Sequence, residues 1–191
     1  MMNRALMLLA AVALVAVVVI GLTQAGGSTE PTGKFDLAKA KRQLAGAPAP
    51  LAKLHDESNQ LLEGGSSAFD TRLAALRGHP VVINKWASWC GPCRAELPIL
   101  QVVSTQQGKR VAFLGLNARD KRGSAERFAA QYPVPYPSYE DPGEKIAGAI
   151  KAPANFPVTL FVDANGKTVF IHQGGYRSTA QLDADIEKYL S

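Results

Sequence analysis

Val81–Cys93 reads VVINKWASWCGPC, a strand pattern running into a pair of cysteines. Its β-branched opening, Val81-Val82-Ile83, has the pattern of a buried strand. Beyond Cys90 the periodicity becomes helical, with Leu97, Leu100 and Val103 apolar and Gly108 as a stop. Two cysteines spaced C-x-x-C therefore sit where a strand ends and a helix begins.

Three uses of such a pair can be weighed. A zinc site lacks its other half: there is no second cysteine pair, and His55, His79 and His172 have no metal-ligand spacing. A purely structural disulfide would close a loop of a few residues, where chain-entropy stabilisation is smallest. Redox chemistry suits the placement. The Cys90 sulfur would meet unpaired N–H groups and the positive end of the helix dipole, which favour thiolate. Cysteines in such motifs fall from a pKa of about 8.5 to between about 3.5 and 7.5. Cys93, one turn further in, is expected to stay a thiol until needed. Pro92 has no N–H to leave unpaired in a first turn.

The remaining elements run in order along the chain. RVAFLGLN is a second buried strand, and SAERFAAQY a helix capped at Ser124 and ended by Pro133. PYPSYED is a short extended stretch within an expected surface loop whose tyrosines, Tyr136 and Tyr139, pack locally, and GEKIAGAIKA a short helix. PVTLFVDANGKTVFIHQGG is a hairpin turning at Asn165-Gly166. STAQLDADIEKYL closes with a Ser178/Gln181 capping box and Leu182, Ile186 and Leu190 on one face. Crossover helices imply parallel early strands and the hairpin an antiparallel end: an α/β fold with a mixed central sheet flanked by helices.

The 191 residues are 47% hydrophobic, enough for one well-cored domain plus extra sequence. Net charge is +5, but the basic residues are scattered, which argues against nucleic acid. Ala5–Leu22 is eighteen residues without a polar side chain, led by Arg4. This is an N-terminal transmembrane or signal helix that exports the chain beyond Leu22, whether it stays as an anchor or is cleaved. No cysteine directly succeeds it to carry a lipid. Residues 1–22 are thus read as the anchor or signal, 23–50 as a flexible tether, and 51–191 as the folded domain. Asp36 would cap a short helix inside the tether, and two short helices are expected over 51–76.

WCGPC after a buried strand resembles the thioredoxin active site. Pro98 matches the proline of its active-site helix. NFPVTLFVD resembles the strand opened by a cis-proline, here Pro157 after Phe156, and Gly174-Gly175 matches its glycine stretch. The exported anchor and the inserted segment around 118–150 are similar to TlpA/ResA-like thiol–disulfide oxidoreductases. That resemblance implies a thioredoxin-like fold. It also implies a Cys90–Cys93 redox disulfide and a substrate groove formed by Trp89, Gly91, Pro92, Phe156 and Pro157. It further implies exported disulfide clients, among them apocytochrome c, and a membrane thiol–disulfide electron donor. The expected protein is a monomer with neither cofactor nor metal.

Two strand positions depart from thioredoxin. Asn84 stands where thioredoxin has a proton-accepting aspartate, so Glu96, which matches a TlpA/ResA-like glutamate, becomes the candidate third catalytic residue. Lys85 replaces the usual aromatic. Its stem is expected to pack while its ammonium reaches an acid or water, or else to bias the local acid–base chemistry. The pair is expected to reduce disulfides in its clients; the alternatives are a disulfide-donating oxidase and a non-catalytic anchored redox sensor or adaptor.

Overall fold

In the computed structural model, residues 34–191 are described, so the apolar run and the start of the tether lie outside the described residues. Among the described residues no helix is long and apolar enough to cross a membrane.

The sheet forms where the β-branched and aromatic runs occur: β2 (Val81–Trp86), β3 (Ala112–Ala118), β4 (Ser138–Asp141), β5 (Val158–Val162) and β6 (Thr168–Gln173). A two-residue β1 (Leu61–Leu62) completes it, giving the order β1-β4-β3-β2-β5-β6. The β1, β4, β3 and β2 pairings are parallel, whereas β5 runs antiparallel to both β2 and β6. β2 and β3 are buried at every position, as a sheet covered on both faces requires.

Helices α4 (Gly91–Gln107), α5 (Arg122–Gln131) and α7 (Thr179–Leu190) cover one face. There Val82, Trp86, Leu97, Leu100, Phe113, Phe128, Phe161, Leu182 and Ile186 share a core. The opposite face packs under α2 (Ala49–Asp56), α3 (Gly65–Ala75) and α6 (Lys145–Ala149), with Leu51, Leu54, Phe69, Ile83, Leu114 and Leu160 inside.

Several expectations shift. The helix expected within the tether forms as α1 (Leu37–Leu44), and Asp36 Oδ1 accepts the Lys39 N–H at 2.9 Å. It is no free tether, however: Ala40 and Leu44 are buried, and α1 packs on α4. Packed structure thus begins well before Leu51. The two helices over 51–76 appear as α2 and α3, with β1 between them, too short to leave a sequence pattern.

Helix α5 starts two residues before the expected cap. Lys121 is its N-cap, and Ser124 Oγ instead accepts a bond from Arg127 Nη2. Tyr136 and Tyr139 are buried, not in a surface loop; Tyr136 stacks on Phe113 and Tyr139 meets Phe69 edge-on. His55 is likewise buried in α2. The hairpin turn spans Asp163–Lys167. Asp163 Oδ1 accepts the N–H groups of Asn165 and Lys167, and Gly166 supplies the positive φ of 77°. The terminal helix caps at Ser178 as read, its Oγ accepting the Gln181 N–H, but the return half of the box is displaced by one residue, Gln181 Oε1 accepting the Arg177 N–H.

If α1 is part of the folded unit, Leu44→Ala should lower unfolding free energy by about 2 kcal/mol or more, the usual cost of emptying a buried leucine site. Chemical denaturation measures this, and a change near zero would return α1 to the tether.

Candidate active site

The β2–α4 junction places Cys90 as the N-cap of α4. The two cysteines form a disulfide, with sulfurs 2.06 Å apart. The Cys93 N–H also donates to Cys90 Sγ at 3.1 Å, using one of the orphan donors of the first turn. This N–H and the positive end of the helix dipole lie against the Cys90 sulfur. Gly91 and Pro92 are exposed on the first turn, and Pro98 lies inside the helix.

Trp89 stands outside the core at 56% exposure. Its turn is tied down by Asp120, which accepts from both the N–H and the hydroxyl of Ser88 and from Asn117 Nδ2. The Trp89 ring meets Phe156 edge-on with centroids 5.0 Å apart. The Phe156–Pro157 peptide bond is cis, and the Pro157 carbonyl accepts the Gly174 N–H at 2.9 Å. The neighbouring Gly175 packs against the active-site helix. A methyl built there would lie 3.4 Å from the Pro92 carbonyl oxygen and 3.7 Å from Glu96 Oε2. The proline strand end and the glycine stretch are thus brought to the cysteine end of α4. Trp86, by contrast, is a packing residue. It stacks on Phe128, and its Nε1 donates to Ser138 Oγ.

Glu96 is 1% exposed. Asn84 Nδ2 donates to its Oε1 at 2.8 Å, and the Tyr176 N–H donates to its Oε2 at 3.1 Å. Burial pushes the carboxyl from 4.5 up to about 7, and the Asn84 and Tyr176 bonds pull the other way. A carboxyl balanced near neutrality, one helical turn from Cys93, is suited to taking up and returning a proton. Asn84 therefore serves as a donor to the carboxyl. Lys85 is wholly buried and reaches Glu144 Oε1 at 3.2 Å, so its ammonium meets an acid as expected. The sequence offers no sign of Tyr176, which acts through its backbone N–H. Asp185, which accepts the Tyr176 hydroxyl at 2.8 Å and so steadies that residue, is equally silent there.

Among the described residues, no three His, Cys, Asp or Glu side chains are grouped to hold a metal ion. The α/β architecture with a C-x-x-C at the tip of β2 defines a thioredoxin-like protein. The chain belongs to the Redoxin family, which it matches over residues 44–190. It is 32% identical over 162 residues to the thiol:disulfide interchange protein DsbE of Yersinia pestis, covering 84% of this chain and 78% of that protein. It is 28% identical over 120 residues to the thiol-disulfide oxidoreductase ResA of Geobacillus kaustophilus, covering 62% of this chain and 66% of that protein. It thus spans just under two thirds of that ResA's length.

The crystal structure of a thiol:disulfide interchange protein DsbE from Chlorobium tepidum superposes with a TM-score of 0.53 at 29% identity, covering 61% of this chain and 80% of that one. A secreted Mycobacterium tuberculosis disulfide oxidoreductase gives a TM-score of 0.54 at 26% identity, over 60% and 85% of the two chains. The matched region is a protein-disulfide oxidoreductase domain of the TlpA/ResA-like type.

The Glu96 shift makes a pH prediction with a definite sign. Its folded pKa lies above the unfolded one, so the associated stability is complete below pH 4.5 and lost as pH rises through about 7. The unfolding free energy of oxidised wild type minus that of Glu96→Gln should fall across this window by up to ~3 kcal/mol. Denaturation of both proteins from pH 4 to 8 measures it. A difference independent of pH would mean that Glu96 titrates as an ordinary surface carboxyl.

Proposed function

We propose that the protein is an extracytoplasmic thiol–disulfide oxidoreductase that reduces disulfides in exported proteins. The observation that carries this reading is a Cys90–Cys93 pair at a helix N-terminus on the same helix as a buried carboxyl of pKa about 7. The Cys90 thiolate attacks one sulfur of a client disulfide. A mixed disulfide forms, and the client's other sulfur leaves as thiolate and takes a proton. Glu96 accepts the Cys93 proton, and the Cys93 thiolate attacks Cys90 Sγ. The client's second thiol is released, and Cys90–Cys93 remains as the disulfide, the state of the pair in this structure.

Trp89, Gly91, Pro92, Phe156 and Pro157 form the groove that holds the client. Two electrons from a membrane thiol–disulfide donor reset the pair. The apolar run Ala5–Leu22, as anchor or cleaved signal, and the secreted Mycobacterium tuberculosis relative support the compartment. By family resemblance, the haem-attachment thiols of apocytochrome c are one client class. The protein acts as a monomer, without cofactor or nucleic acid.

The reduction potential of the purified protein tests the direction. A value near about −270 mV is expected, and one near about −120 mV would make it a disulfide donor. Cys93→Ser should accumulate mixed disulfides through Cys90 with exported proteins. Their absence, with a pair that merely tracks ambient redox poise, would leave a sensor.

A further inference from the structure

We propose that Lys85 is a positioning residue for the client groove. Its ammonium fixes the segment Pro153–Phe156, and with it the aromatic wall that Phe156 and Trp89 present beside Cys90. The proposal rests on the oxidoreductase reading above and deepens it.

The side chains of β2 alternate between the sheet faces. Val82, Asn84 and Trp86 face α4. Val81 and Ile83 lie in the opposite core, and Lys85 belongs to their row. It is 0% exposed. Taking an ammonium wholly out of water costs several kcal/mol unless its partners compensate, and an apolar chain of the same length would fill the space without that cost.

The partners explain the choice: the Pro153 carbonyl and the Phe156 ring lie on the approach to β5, and Glu144 caps α6 just before it. Lys85 Nζ donates to the Pro153 carbonyl, pairs with Glu144 Oε1 at 3.2 Å and lies 4.2 Å from the Phe156 ring centroid. Among the described residues, the N–H groups of Ala154, Asn155 and Phe156 find no backbone acceptor. The segment therefore draws little on backbone bonding, and the Lys85 bond to the Pro153 carbonyl joins the packing of Phe156 on the core in holding it to the sheet.

The contacts close into a ring that reaches the active cysteine. Phe156 meets Trp89, and Trp89 Nε1 donates to the Arg119 carbonyl at 2.9 Å. Arg119 Nε lies 3.7 Å from Glu144 Oε2, and Glu144 returns to Lys85. One buried charge thereby orients two aromatic rings at the mouth of the site, one of them adjacent to Cys90. A wall held in place before the client arrives spares the ordering cost at binding.

Lys85→Met removes the ammonium and keeps the length of the side chain. Glu144 retains Arg119, so no carboxylate is stranded. Pre-reduced full-length protein is mixed in single turnovers with rising concentrations of a disulfide-linked peptide, and separately with 5,5′-dithiobis(2-nitrobenzoate), which has no peptide backbone to lie along the groove. Product thiols are counted by alkylation or absorbance.

The variant should raise the peptide half-saturation concentration about tenfold and leave the limiting rate within about twofold. The ratio of peptide to small-disulfide reactivity should fall accordingly. Glu144→Gln keeps the Pro153 bond and should raise half-saturation by less than about threefold. An unchanged half-saturation in Lys85→Met overturns the proposal. So does a loss confined to the limiting rate together with a shifted reduction potential, which would place Lys85 on the acid–base chemistry of the cysteines.

If Lys85→Met does not fold, Phe156→Leu keeps the ion pair and removes the wall. It should give the same rise, and its absence overturns the proposal. Should wild type only oxidise the dithiol peptide, the reductase reading fails on its own, and the same half-saturation comparison is made in that direction.

Discussion

Polar side chains buried in β2 constrain the whole catalytic end of the molecule. Asn84 and Lys85 are consecutive, so the pleat sends them to opposite faces of the sheet, and neither has access to water. A buried polar group without a partner costs more than the hydrogen bond it replaces, so each residue must recruit from distant chain. Asn84 recruits Glu96 from α4 and Thr159 from β5. Lys85 recruits Glu144 at the start of α6 and the Pro153 carbonyl before β5. One strand therefore holds the buried Glu96 carboxyl on one side and the segment before the cis-proline on the other, with Cys90 four residues beyond Trp86 at its tip.

Much of this architecture can be read from the sequence because its signals are local. The strand-to-helix switch at Cys90, the Asn165-Gly166 turn and the Ser178 cap each fall within a few residues, and each is found where the pattern puts it. The failures share a different cause. α1 has a readable cap, but whether it docks depends on Ala40 and Leu44 meeting α4, some sixty residues away. Tyr136 and Tyr139 sit among prolines that suggest a surface loop. They are buried because β4 pairs with β1 and β3, which no local pattern announces. Within the site, the cysteines and Glu96 carry side-chain signals. The Tyr176 N–H has none, since every residue but proline carries that group.

Asn84 also changes which part of the fold supplies the buried carboxyl beside the cysteines. A carboxylate in the strand would be fixed to the sheet, and its relation to the second cysteine would depend on how the helix packs. Glu96 instead shares α4 with Cys93, at a three-residue spacing that keeps the two on neighbouring parts of one helical face. The sheet and the glycine stretch then contribute only donors, Asn84 Nδ2 and the Tyr176 N–H, which favour the ionised form against the burial that opposes it. The carboxyl sits near neutrality because burial outweighs the two donors, which hold its rise to about 7. Burial alone would leave it protonated and unable to accept, and donors in an open site would leave it too weak a base to deprotonate a thiol. With Asn84 in the strand, the buried carboxyl near the cysteines is carried by the helix and held by a donor from the sheet.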